Sequence, residues 1–144
     1  TTDTMKKDLK SVVESVIKIS QPDILDIIVD IGSNDCTLLN FYQKGFKLVG
    51  FEPAKNIKHI DVGKNVKIFQ DYFNANNFNE NFDKKAKIIT SCAMFYDLEN
   101  PSEFIANAAE VLDEDGVFIA QLMCLKSMLN KNDLGYLFLN HHNQ

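Results

Sequence analysis

Ile27-Ile28-Val29-Asp30-Ile31-Gly32-Ser33-Asn34-Asp35-Cys36-Thr37-Leu38-Leu39 decides the fold of this chain. An apolar run ends in an acid, a glycine and a small polar loop, and a helix-like segment follows. About twenty residues further on, a second apolar run, Phe46-Lys47-Leu48-Val49-Gly50-Phe51, ends in Glu52. Open α/β sheets build nucleoside sites this way. The glycine lets the backbone pass close to a ligand, the loop amides and helix N-terminus are expected to face it, and the acid after the second strand suits a ribose diol.

Around this pair the chain alternates in character. Leu9, Val12, Val13, Val16 and Ile17 fall at helical spacing within Asp3 to Ser20, a helix closed by Gln21-Pro22. Strands are expected over Leu25–Ile31, Lys47–Phe51, Asn65–Gln70, Ala86–Ser91 and Val117–Leu122. Helices are expected over Thr37–Lys44, loosely over Ala54–Gly63, over Glu99–Leu112 with Pro101 in the first turn, and from Leu125 onward. Asn74–Lys85 reads as a surface loop holding a short helix, and Asp113–Gly116 as a turn. The pattern predicts an α/β, doubly wound, mostly parallel Rossmann-like sheet of about five strands. Right-handed crossovers bring Asp30, Glu52, Asp71 and Ser91-Cys92 to one edge of that sheet.

Composition narrows the partners. At 144 residues the chain reads as a single domain: an N-terminal helix (1–22), a binding core (23–122) and a C-terminal helix or tail (123–144). A net charge of −5 argues against nucleic acid, and no apolar run reaches a membrane span. Cys36, Cys92 and Cys124 are far apart and form no C-x-x-C pair, and His59, His141 and His142 add no metal set. The expectation is a cytoplasmic protein with reduced cysteines and no bound metal.

The ligand is narrowed by what the glycine loop lacks. Gly32-Ser33-Asn34-Asp35-Cys36-Thr37 misses the second and third glycines of G-x-G-x-x-G, and no P-loop sequence occurs. Asp30 would repel a phosphate and suit a cation. S-adenosylmethionine, with a ribose, a sulfonium, an ammonium and no phosphate, fits better than a dinucleotide. The plainer alternative is a tight turn at Gly32, with Asp30 capping the helix that follows.

Three segments carry a family resemblance: Gly32-Ser33-Asn34-Asp35-Cys36-Thr37-Leu38-Leu39, Gly50-Phe51-Glu52-Pro53, and Met94-Phe95-Tyr96-Asp97-Leu98-Glu99-Asn100-Pro101. From about Asp23 to His141 the chain resembles class I S-adenosylmethionine-dependent methyltransferases, and among them the sugar C-methyltransferases. The resemblance implies that Asp30, Gly32, Ser33 and Asn34 hold the methionine end. It puts the ribose on Glu52, with Pro53 beside it, and the adenine amino group on Asp71, with Tyr72 or Phe73 near the ring. Ser91, Cys92 and Ala93 would line the floor under the sulfonium. S-adenosylhomocysteine would be the product and a small molecule, such as a sugar, the methyl acceptor.

Departures keep a second reading open. Cys36 stands where the family has a glycine, crowding either the cofactor or the helix start. Leu139-Asn140-His141 falls where the family has a H-E-H triplet, leaving His141 as the one candidate base. The full sixth and seventh strands of the fold are not expected. The chain is therefore either a methyltransferase or a catalytically degenerate module that holds the cofactor or a partner. A bare edge on strand five would be the surface for a homodimer or a larger partner.

Overall fold

The computed structural model describes residues 2–57, 65–92, 99–123 and 134–140. The first element is the helix α1, Asp3–Ser20. The Thr2 hydroxyl caps it by accepting from the Met5 N–H at 3.3 Å, with Asp3 in the first turn and Lys18 in the last. Gln21, at φ 47°, ends it by donating its N–H to the Ile17 carbonyl. Val12, Val13 and Val16 are its buried stripe.

Five parallel strands follow: β1 (Ile27–Ile31), β2 (Lys47–Phe51), β3 (Val66–Phe69), β4 (Ala86–Cys92) and β5 (Leu112–Met123). A sixth, β6 (Leu134–Asn140), runs antiparallel to β5. The sheet order is β3-β2-β1-β4-β5-β6. Its order reverses direction beside β1, where an open α/β sheet leaves a crevice at its carboxyl edge.

Alternation along the strands sorts the core into two layers. Ile27, Val29, Ile31, Val49, Phe51, Ile89 and Phe118 point to the face covered by α2 (Ala75–Asn81) and α3 (Pro101–Val111). Ile28, Leu48, Ile88, Val117 and Ile119 point to the other, where Val13 and Val16 of α1 meet Leu39, Tyr42 and Phe46. Burying each such aliphatic or aromatic side chain contributes about 1.5–3 kcal/mol. Helices thus cover both faces, as the alternating pattern predicts.

Several expectations change. Thr37–Lys44 is not a helix; the only helical element there is a single 3-10 turn, Leu39–Phe41. The cause is local. Asn34 and Cys36 adopt φ of 51° and 68°, and the Asp35 carboxylate takes both the Thr37 N–H at 3.0 Å and the Thr37 hydroxyl at 2.6 Å. Those left-handed residues and that side-chain turn compete with a regular helix start. Asp113–Gly116 is a bulge inside β5: register passes from Ala86 opposite Leu112 to Ile88 opposite Val117.

The C-terminal helix expected from Leu125 begins outside the described residues, and Leu134–Asn140, assigned to tail, is a strand. That strand pairs with β5 from Val117 opposite Asn140 to Met123 opposite Leu134. The bare β5 edge expected for a partner is therefore covered by the chain's own β6. At the opposite edge, the Lys67 ammonium lies over the rings of Phe69 and Phe82, at 4.9 and 5.7 Å.

Candidate functional site

The loop after β1 is stitched to the end of β2. The N–H groups of Gly32 and Ser33 both donate to the Phe51 carbonyl, at 2.8 and 3.1 Å. The Asn34 N–H donates to Glu52 Oε1 at 2.9 Å, and the Ala54 N–H to Glu52 Oε2 at 3.1 Å. Gly32 has φ 74°, which a side chain would strain. Gly50 is needed for a different reason: a Cβ there would lie 2.7 Å from Ser33 Oγ and 2.9 Å from Ile68 Cδ1. Three consecutive loop amides are thus committed to β2. They do not face a ligand as an anion-binding nest would, which corrects that expectation and leaves no phosphate cradle there.

Asp30 sits near the end of β1, 3% exposed. It caps nothing. Its Oδ1 accepts from the Thr90 hydroxyl at 2.7 Å, across the register that sets Asp30 opposite Thr90. Burial raises its pKa from 3.8 to about 7, Thr90 pulls it down, and the nearby Glu52 adds to the rise. Thr90 went unnoticed in the sequence. The signal was present as the fifth residue of a strand, but reading it needed the β1–β4 register.

Two more groups belong to this layer. The Tyr42 hydroxyl is buried without a hydrogen-bond partner, and burial, with Asp30 and Cys92 nearby, holds its ionisation well above the usual range. Cys36 is fully buried among Leu38, Leu39 and Tyr42, so its side chain fills the core and does not crowd the carboxyl edge. Burial pushes its thiol up to about 11. Cys92 is raised further by burial and then by Asp30; neither thiol is the kind that reacts readily.

The remaining residues line the same edge. Pro53 is half-buried beside Glu52. Asp71 and Tyr72 follow β3 and are exposed, Tyr72 at 70%. The Asp71 carboxylate accepts the Tyr72 N–H at 2.7 Å; the cap of α2 is Asn74, so Asp71 is not held as a helix cap. Phe73 turns inward, its ring centroid 5.2 Å from that of Phe51. Ser91 is fully buried on the α3 side, and its hydroxyl, like that of Ser33, has no partner. Ala93 and His141 lie outside the described residues, as do Tyr96 and Asp97. Among the described residues there is no cluster of three metal-ligating side chains, and no helix is long and apolar enough to cross a membrane.

One sheet covered by helices on both faces, with a glycine turn, a buried acid and a half-buried acid at neighbouring strand ends, defines a Rossmann-like α/β fold. The chain belongs to the methyltransferase domain family, whose sequence profile matches residues 5–143. No curated protein matches its sequence. Among solved structures it is similar to the plantazolicin methyltransferase BamL, in complex with a triazolic desmethylPZN analogue and SAH, at 17% identity and TM-score 0.70, covering 89% of this chain and 51% of that one. It is also similar to a protein from Anabaena variabilis described as a methyltransferase of an antibiotic biosynthesis pathway, at 16% identity and TM-score 0.63, covering 81% and 46%. YcgJ of Bacillus subtilis matches at 17% identity and TM-score 0.60, covering 78% and 50%. The chain thus spans about half the length of these solved structures.

Proposed function

We propose that this chain binds S-adenosylmethionine along the carboxyl edge of β3, β2, β1 and β4 and serves methyl transfer to a small molecule. The observation that carries the reading is a row of oxygen groups over four adjacent strand ends: Asp71, Glu52, Asp30 and Ser91. Three strand spacings make about 14 Å, the reach of an extended adenosyl amino acid. The donor set also fits. Buried Asp30 has no cation beside it among the described residues, and the hydroxyls of Ser33 and Ser91 are unsatisfied. A ligand with an ammonium and several polar groups supplies what these lack.

In this reading Glu52 keeps two lone-pair directions for a ribose diol after accepting its two backbone amides. Asp71 accepts the adenine amino group, Tyr72 covers the ring, and Pro53 shapes the wall beside the ribose. Gly32, Ser33 and Asn34 flank the methionine end with Asp30, and Ser91, Cys92 and Ala93 form the floor. When bound, the cofactor supplies an electrophilic methyl group. The protein's task is to hold an acceptor in line with it. A carbon acceptor needs a base, and we assign that role to His141, because an imidazole is the side chain suited to taking a proton near neutral pH. The finer assignment, C-methylation of a sugar, rests on the resemblance of the three quoted segments.

Titration calorimetry with SAH tests the site: Glu52→Ala and Asp30→Ala should each weaken binding about tenfold or more, and unchanged affinity in both would sink the assignment. The degenerate-module reading draws on Asn140, which stands in the β6 ladder opposite Val117 where the family's triplet has an acid. A single-turnover assay with S-adenosylmethionine and a set of ketosugars separates the two, since any methylated product contradicts an inert module.

A further inference from the structure

The Asp30 carboxyl is built into the protein in a way that the cofactor reading leaves unexplained. It is 3% exposed, and the one hydrogen bond described for it comes from Thr90 Oγ1. That oxygen also lies 3.4 Å from the Val29 carbonyl. A hydroxyl has a single proton to give. If Asp30 is ionised, Thr90 gives its proton to the carboxylate, and the second carboxylate oxygen has no described donor. If Asp30 is neutral, its own O–H donates to Thr90 Oγ1, and the Thr90 proton turns to the Val29 carbonyl. Both forms give every proton an acceptor, but the ionised form leaves a charge in this buried place with a single described donor.

The surroundings favour the same form. Among the described residues, the titratable groups that face Asp30 are Glu52 at the end of β2, Cys36 in the loop, Tyr42 after the 3-10 turn and Cys92 on β4. Each is acidic or neutral. From α1 the same layer receives Val13 and Val16. A bare carboxylate in such a place is costly unless a cation joins it.

We propose that ligand binding at this site is proton-linked: Asp30 holds a proton in the free protein and loses it to solvent when a cationic group of the ligand arrives. Thr90 is the positioning residue that sets the balance. The Asp30 O–H bond breaks, its electron pair stays on the carboxylate, the proton passes to buffer, and an ammonium takes its place as counter-charge. The inference rests on the cofactor reading, because it needs a cationic ligand beside Asp30. It agrees with the raised titration of the buried acid, at about 7.

The test uses the whole chain with SAH, whose ammonium is retained. Calorimetry in two buffers of different ionisation enthalpy counts the protons released. Wild type should release close to one proton at about pH 6 and almost none at about pH 8, with affinity rising about tenfold between them. Asp30→Asn should release none and bind with no pH dependence. Thr90→Val should move the release profile to higher pH, and Thr90→Ser should restore it. Carbon-13 NMR of the carboxyl groups, assigned with Asp30→Asn, reads the ligand-free state separately. An Asp30 signal that titrates in the ordinary carboxylate range overturns the proposal whatever SAH does. So does tight SAH binding without proton release at pH 6. If the carboxyl is neutral at pH 6 but SAH binds at no pH, the cofactor reading fails, and the ligand linkage fails with it.

Discussion

Replacing Glu52 should loosen the loop that follows β1, and the size of the effect can be worked from two contacts. Its carboxylate takes the Asn34 and Ala54 amides, at 2.9 and 3.1 Å. Hydrogen bonds to a charged acceptor contribute about 1.5–3 kcal/mol each, and half-burial puts these near the lower end. Glu52→Ala should therefore cost about 3 kcal/mol. Glu52→Gln keeps one acceptor but turns an NH2 toward the other amide, so it should cost about half as much. Urea unfolding gives the two stabilities. Hydrogen exchange at the Asn34 and Ala54 amides shows whether the loss is local. Exchange should quicken at both amides in the alanine variant and at one in the glutamine variant. If Glu52→Ala falls within about 0.5 kcal/mol of wild type, as an unengaged surface position would, and both amides exchange unchanged, Glu52 does not hold the loop.

The other expectations concern neighbouring residues. Asp30 binds its proton more tightly folded than unfolded, since its titration rises from 3.8 to about 7. Its contribution to stability is whole below about pH 4 and is lost as pH climbs through 7. The full span of about three pH units corresponds to on the order of 4 kcal/mol, and urea unfolding of Asp30→Asn between pH 4 and 8 should lack this slope. Cys36 is fully buried at φ 68°. Glycine there relieves the backbone while losing a small buried side chain, so Cys36→Gly should stay within about 1 kcal/mol of wild type in thermal unfolding, whereas the branched Cys36→Val should lose about 2 kcal/mol or more. Gly50→Ala forces a methyl to within 2.7 Å of Ser33 Oγ and should cost about 1–3 kcal/mol. Because it displaces the loop, SAH affinity measured by calorimetry should drop as well.

Four of the parallel strands were legible as apolar runs between turn signals, β3 as the alternation Val66-Lys67-Ile68-Phe69, and α1 because Val12, Val13 and Val16 recur at helical spacing. The acids at the strand ends could be placed on one edge from the alternation of strand and helix alone. Three things were not legible, the first because of local turn geometry and the other two because they depend on contacts remote in sequence. The segment after Gly32 has a helical apolar pattern, but left-handed Asn34 and Cys36 and the Asp35 side chain break it. Leu134–Asn140 has no alternation that separates strand from tail; pairing with β5 makes it a strand. Thr90 and Tyr42 look like ordinary core residues until register brings one to Asp30 and burial strips the other of partners. The Cys36 side chain illustrates the same point: spacing locates it in the glycine loop, but only packing shows which way it turns.

The central place of β1 has a consequence for how the chain acquires its structure during synthesis. β1 leaves the ribosome ahead of the other five described strands, yet one of its two neighbours, β4, comes so much later that the Asp30–Thr90 bond closes a separation of 60 residues. Until Thr90 has emerged, a nascent chain can pair β1 with β2 alone, and β2 in turn with β3, leaving one side of an apolar strand open to other chains or to chaperones. Such delayed non-local pairing slows folding and exposes intermediates to aggregation. In the waiting ribbon Asp30 would still meet water and ionise as an ordinary carboxylate. Its capture of a proton would then mark the moment at which β4 arrives and the two halves of the sheet become one.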